Sequence, residues 1–356
     1  MAKKYQNQLQ ITLSNQSDSL IQQLPDFANK YFDSLRNRNL SERTITQYAY
    51  DMLNFFDFLG KSAGYAQKNI KTMTASEVLD PLTIDDLNEY FKTLEYTYST
   101  NAEGKSIKKK TSPSYRARKA SSLRSFFRYY IKIKAISNAL GELIESPKLP
   151  FKNIIILENN DVKRLLSAIK DTANMSNRDK SVHDALELRD IAIIVLFLGS
   201  GIRVSELIGI DIQDVDFYNA SIVINRKGGD IDEVYFNEEV ERALSEDVEH
   251  CRPSLLKSNS KEPALFVSLQ GTRLTTRAVE KLVKKYGTKA GLNIDLHPHS
   301  LRKTYGTTLY ENSGDLLLVA DALHHKSIET GRKFYIRSSE ANKRRAAKYS
   351  TKIFED

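Results

Sequence analysis

The sequence predicts a mostly α-helical protein with a small β-sheet, divided into two units. Three observations carry this. Apolar residues recur at helical spacings through most of the 356 residues. Strand-like patterning is concentrated between Ala220 and Phe236, around the turn residues Lys227-Gly228-Gly229-Asp230. Pro147 and Pro150, close together in the polar run ESPKLPFKN, break helices and read as a linker. The predicted units are therefore 1–150 and 151–356, with the boundary near 147–157.

In the first unit, Met1 to about Asn15 is polar and aperiodic, which predicts a loose arm or a short first helix. Phe27, Tyr31, Phe32 and Leu35 form one apolar stripe. Ser41 begins a capped helix whose buried face is Ile45, Tyr48, Met52, Phe55, Phe56 and Leu59, with Gly60 as its end. These aromatics suit a core better than a base-stacking platform. A third helix starts near Thr83. The polar, basic stretch from Thr97 to Pro113, with Lys108, Lys109 and Lys110, predicts a loop. The helix after it sets Arg116, Arg118, Arg124 and Arg128 against Leu123, Phe126, Phe127 and Tyr130. A basic face opposite an aromatic one suits a helix lying on a phosphate backbone.

The second unit opens with a capped helix at Asn160 to Ile169, followed by a polar loop from Ala173 to His183. LRDIAIIVLFLGSGIRVSELIGI reads as a buried helix, a Gly-Ser-Gly break and a second helix start. Ala220–Asn225 and Asp232–Phe236 predict paired strands, Ala264–Ser268 an edge strand, and Glu238–His250 and Thr275–Ala290 helices.

Composition narrows the function class. Hydrophobic residues make up 40% and charged residues 28%, as in an ordinary globular protein, but the net charge is +8. A cationic surplus favours a polyanionic partner, nucleic acid or an anionic membrane surface. The single cysteine, Cys251, excludes an intramolecular disulfide and a cysteine-rich zinc site. No segment has the length of a signal-peptide core or a membrane helix, which predicts a cytoplasmic protein.

Several residues stand out as candidates for chemistry. Arg203 follows the glycine break, with Glu206 three residues on and placed to orient it. Lys227 lies at the tip of the predicted hairpin. Pro298 suits a first helical position, which sets His299 and Arg302 one turn apart, an imidazole and a two-pronged donor beside one phosphate. His297, His299, His324 and His325 have no carboxylate completing a ligand set, so no metal is expected. GxxxxGK[ST] is absent, so the glycine break is not a nucleotide-phosphate loop.

Taken in order, Arg203 with SEL behind it, Lys227 in a strand–KGG–strand turn, His299-x-x-Arg302, Leu323-His324-His325 and Tyr335 resemble the tyrosine recombinase (phage integrase) superfamily, which includes the Xer-type recombinases. The resemblance covers about 158–340 as the catalytic domain. More loosely, 24–146 is similar to the family's helical, SAM-like core-binding domain. It implies an α+β catalytic domain of the tyrosine recombinase type. It also implies a catalytic set of Arg203, Lys227, His299, Arg302, His325 and Tyr335, with Glu206 supporting. Lys108, Lys109, Lys110, Arg116, Arg118 and Arg124 are the expected DNA contacts.

The implied activity is site-specific cutting and rejoining of double-stranded DNA through a 3′-phosphotyrosyl intermediate. It serves integration or excision of a mobile element, or resolution of chromosome dimers. No cofactor is implied; a homotetramer on paired sites is, with or without an accessory directionality factor. The alternatives are a catalytically inactive DNA-binding member of the same fold, with Phe334 in the nucleophile's place, and a type IB topoisomerase, which shares the chemistry; the small size and all-helical N-terminal domain favour a recombinase over the latter. Two departures stand out. His324 occupies a position where the family commonly has glycine. The nucleophile usually lies nine residues after the histidine, which here is Phe334; Tyr335 is tenth, and only a hydroxyl can do the chemistry.

Overall fold

In the computed structural model, residues 2–100, 104–149, 155–173, 175–226 and 230–324 are described. Lys227, His325, Phe334 and Tyr335 lie outside them. Two compact units divide the chain: Asn7–Lys152, and Asn153–Asp356 together with Met1–Gln6.

The first unit is built on α1 (Ala2–Ile21), α2 (Ala28–Asn37), α3 (Glu42–Lys61), α4 (Ala75–Leu79) and α5 (Ile84–Thr93). An antiparallel hairpin follows, β1 (Tyr96–Thr100) with β2 (Ser106–Lys110), then α6 (Pro113–Lys132) and α7 (Leu140–Leu143). Ser41 caps α3, its hydroxyl accepting from the Thr44 N–H at 3.3 Å, and Thr83 caps α5 in the same way. Tyr31, Phe32, Phe55, Phe126, Phe127 and Tyr130 are the large side chains of one core, meeting largely edge to face. Two expectations are corrected here. The polar N-terminus is a 20-residue helix. The basic stretch after Thr97 is a hairpin, with Tyr96 opposite Lys110 and Tyr98 opposite Lys108.

The basic helix also makes bonds within its own unit. The Asp51 carboxylate, 1% exposed, pairs with Arg118, lies 3.2 Å from Lys119 Nζ and accepts from Ser122 at 3.0 Å, tying α3 to α6. Arg124 donates through Nε to the Ile144 carbonyl at 3.2 Å. Arg116 is half-buried, with an Nε that has no partner among the described residues. The Arg118 and Arg124 guanidinium groups thus serve the unit's own packing, at least in part. The lysines of β2 are exposed.

The second unit contains α8 (Asn159–Lys170), α9 (Asn177–Asp184), α10 (Glu187–Ser200), α11 (Val204–Leu207), β3 (Val215–Asp216), β4 (Ser221–Asn225) and β5 (Ile231–Tyr235). It continues with α12 (Glu238–Glu246), a π-helical turn at Asp247–Cys251, α13 (Arg252–Leu255), α14 (Thr276–Lys289), α15 (Pro298–Ser313) and α16 (Leu316–Ala322). The three strands form an antiparallel sheet in the order β3-β4-β5. Ile193, Ile194, Leu196 and Phe197 of α10 are wholly buried, each worth about 1.5–3 kcal/mol over exposure, which makes α10 the core around which the unit packs. The expected loop at 173–183 contains α9, a helix too polar to show a stripe. The expected edge strand at 264–268 makes only isolated bridges, Asp211 with Ala264 and Val267 with Arg273.

Candidate active site

Gly199 and Gly201 do different jobs at the end of α10. Gly199 is within the helix, where a Cβ would meet Val240 of α12 at 2.4 Å; it permits close helix packing. Gly201 is the cap residue, with φ +62°, in the left-handed region that glycine adopts without a steric penalty. A Cβ there would also lie 2.3 Å from the Tyr305 ring. The reversal at Gly201 turns its carbonyl toward α15, where the Arg302 guanidinium donates to it.

Arg302 is 3% exposed. Its second terminal nitrogen donates to the Leu323 carbonyl at the end of α16. One guanidinium thereby fastens the ends of α10 and α16 to α15. Pro298 occupies the first helical turn, as expected, and His297 caps the helix, its Nδ1 accepting from the Ser300 N–H at 3.1 Å. That bond leaves the His297 proton on Nε2.

Arg203 immediately precedes α11. The Glu206 carboxylate accepts from the Arg203 backbone N–H at 2.7 Å and from its Nη1 at 2.7 Å. The acid therefore caps the helix and holds the arginine side chain at once. Arg203 keeps 35% of its side-chain surface, whereas Glu206 keeps 2%. The same carboxylate accepts from Arg226 Nη1 at 3.2 Å and lies 4.0 Å from Arg302 Nη1. Arg226 in turn donates through Nε to Asp232 at 2.8 Å, and Asp232 lies 3.9 Å from His324 Nδ1.

Arg226 and Asp232 were not among the residues singled out from sequence, although a signal was available. Ile222 and Ile224 face the core, and the period of two carries Arg226 inward beside them. A guanidinium on a buried face needs a carboxylate partner. Arg226 also closes the β4–β5 turn, its N–H donating to the Asp230 carbonyl at 2.8 Å. Lys227 follows it in the chain.

His299 stands on the first turn of α15 and keeps exposed surface. Partial desolvation of the ring comes first among the causes of its shift, followed by the cations Lys303 and Arg302, then His297 and Arg203. Together they push its pKa from 6.5 down to about 4. The imidazole is therefore neutral at pH 7, with a nitrogen able to accept a proton. His324 has φ +46°, the left-handed conformation at the end of α16, where a helix most often places glycine. The glycine that the resemblance leads one to expect here would answer this backbone conformation, which the chain meets with histidine. Among the described residues no group of three histidines, cysteines or carboxylates is placed to hold a metal ion, and no helix is long and apolar enough to cross a membrane.

The geometry brings Arg203, Glu206, Arg302 and His299 into one region of the second unit, and adds Arg226. A half-exposed Arg203 and an exposed, neutral His299 above the buried Glu206, Arg226 and Arg302 form a surface suited to an oxyanion. Comparison with known proteins gives this arrangement its family. The pattern of the phage integrase family matches residues 156–342. A tyrosine recombinase XerC from Caldanaerobacter subterraneus subsp. tengcongensis is 34% identical over 313 residues, covering 86% of this chain and 80% of that protein. A tyrosine recombinase XerD from Oceanobacillus iheyensis is 31% identical, covering 84% and 90%. Among solved structures, XerH bound to a palindromic difH substrate aligns with a TM-score of 0.61 at 22% identity over 95% of this chain and 93% of that one. The Tn1549 transposon integrase in complex with circular intermediate DNA aligns with a TM-score of 0.61 at 19% identity, covering 91% and 99%. These two likenesses concern the fold. On the sequence relationships, the chain belongs to the phage integrase family and is a site-specific tyrosine recombinase, an enzyme that transfers DNA strands.

Proposed function

We propose that the chain binds double-stranded DNA as a homotetramer on paired sites and exchanges strands through a 3′-phosphotyrosyl intermediate at Tyr335. The reaction serves integration or excision of a mobile element or resolution of chromosome dimers, with or without an accessory directionality factor. The observation that carries this is the buried Glu206 carboxylate holding Arg203 in place beside Arg302, with a neutral His299 on the adjoining helix turn.

In this mechanism the Tyr335 oxygen attacks the scissile phosphorus, and the phenol proton passes to His299, which is neutral at pH 7 and gains basicity as the phosphate charge offsets the cations around it. Arg203 and Arg302 stabilise the charge that develops on the non-bridging oxygens. His325 donates a further hydrogen bond to the phosphate. Lys227 protonates the departing 5′ oxygen, so the P–O5′ bond breaks as the P–O bond to tyrosine forms. A 5′ hydroxyl from the second duplex then attacks the phosphotyrosine and releases the phenol. The phosphodiester energy is conserved throughout, so no nucleotide cofactor is consumed.

The test uses a nicked suicide duplex carrying a sequence that the protein itself selects from a random pool. An adduct resistant to SDS is expected, and it should vanish in Tyr335→Phe. An adduct that persists in that variant would reject Tyr335 as nucleophile. Its absence from the unaltered protein on the selected sequence would reject the recombinase mechanism.

A further inference from the structure

The β1–β2 hairpin has no role in the packing of its own unit. All ten positions of its two strands are exposed, including Tyr98 at 67% and Ile107 at 47%. A lone two-stranded ribbon is marginally stable in water, and this one buries no apolar face to offset its ordering. Its base is fastened by Thr111, whose N–H donates to the Glu95 carbonyl at 2.9 Å and whose hydroxyl donates to the Leu94 carbonyl at 2.6 Å.

The charge on the ribbon is one-sided in sign and two-sided in space. Between Tyr96 and Lys110 the cations are Lys105, Lys108, Lys109 and Lys110, against the single acid Glu103. Pairing puts Tyr96 with Lys110 and Tyr98 with Lys108 on one face, and Thr97 with Lys109 and Ser99 with Ile107 on the other. Lys108 Nζ lies 4.1 Å from the centre of the Tyr96 ring and 5.9 Å from that of Tyr98, so the rings brace the cation. Five residues of strand span about 17 Å, and a two-stranded ribbon fits a major groove about 12 Å wide.

We propose that this hairpin is a finger that enters a groove of duplex DNA, with Lys108 and Lys110 on one phosphate wall and Lys109 on the other. The proposal rests on the recombinase reading, since it takes duplex DNA as the partner. It adds a specific element and a specific geometry. Opposite faces of the ribbon meet opposite walls, and phosphate contacts from both faces fix its register.

The test is the salt dependence of binding of the full-length chain to a random-sequence duplex, followed by fluorescence anisotropy. Each lysine that neutralises a phosphate contributes about 0.9 to the slope of log K against log salt. Lys109→Ala is expected to lower the slope by about 0.9, Lys108→Ala with Lys110→Ala by about 1.8, and all three by about 2.7. Because the side chains are exposed, far-UV circular dichroism and the melting temperature should stay unchanged. An unaltered slope in the triple variant overturns the proposal, and more so if its subunit association changes instead, since the ribbon would then face a second copy of the chain. A Lys109→Ala slope equal to that of the unaltered protein overturns the two-wall geometry. If the unaltered protein has no affinity for duplex DNA, the proposed strand exchange on paired duplex sites falls, and the hairpin's role with it.

Discussion

Replacing Glu206 with glutamine probes the centre of the site most directly. The carboxylate is 3% exposed and accepts from the Arg203 backbone and side chain, each at 2.7 Å, and from Arg226 at 3.2 Å. Glutamine keeps the shape and one acceptor oxygen, but turns an amide N–H₂ toward a guanidinium. Removing one partner of a buried pair costs about 3–5 kcal/mol, because the remaining charge is stranded. Arg226 retains Asp232 at 2.8 Å, and Arg203 is partly solvated, so the lower end, about 3 kcal/mol, applies. In a unit of about 200 residues each kcal/mol moves the melting temperature by about 2–4 °C, giving a fall of about 6–12 °C. Calorimetry of the full chain measures this. Because Arg203 is released as well, adduct formation should fall by more than the folded fraction does. A shift below about 2 °C would mean that these contacts have the value of surface ion pairs, and the account of a buried, shared carboxylate would be wrong.

Three further outcomes follow from the same geometry. With its folded pKa at about 4, below 6.5, His299 leaves stability intact above about pH 6.5, and that stability is lost as pH falls toward 4. An NMR titration should place the His299 imidazole midpoint well below 6.5, moving upward when DNA phosphate is bound; a midpoint at or above 6.5 would contradict the cationic crowding described. Gly201→Ala should destabilise the unit by about 2–4 kcal/mol, combining left-handed strain with overpacking against Tyr305, and chemical denaturation should show it. His324→Gly should do the opposite, raising stability by about 1 kcal/mol, because relief of a left-handed φ outweighs an exposed contact to Asp232 at 3.9 Å; a loss of stability there would assign that contact real weight.

The helices of both cores were legible because burial imposes a period of 3.6, and Ser41 and Thr83 mark where two of them start. Polar elements were not legible by the same route. The helix at Asn177–Asp184 carries one buried residue, His183, so no stripe forms, and the β1–β2 ribbon has two exposed faces, so no alternation does. Within the site, the Arg203–Glu206 pair lies within one turn of chain and could be inferred locally. The bond from Arg302 to Gly201 joins residues 101 positions apart and could not. The low pKa of His299 is likewise a property of the assembled surroundings. Arg226 falls between these cases: strand parity pointed inward, but only the fold shows which carboxylates receive it.

Arg302 gives its terminal nitrogens to two backbone carbonyls. A side chain so held has surrendered its rotamer freedom during folding. In the phosphate-binding role proposed for Arg302, this part of the site therefore has little conformational entropy left to lose.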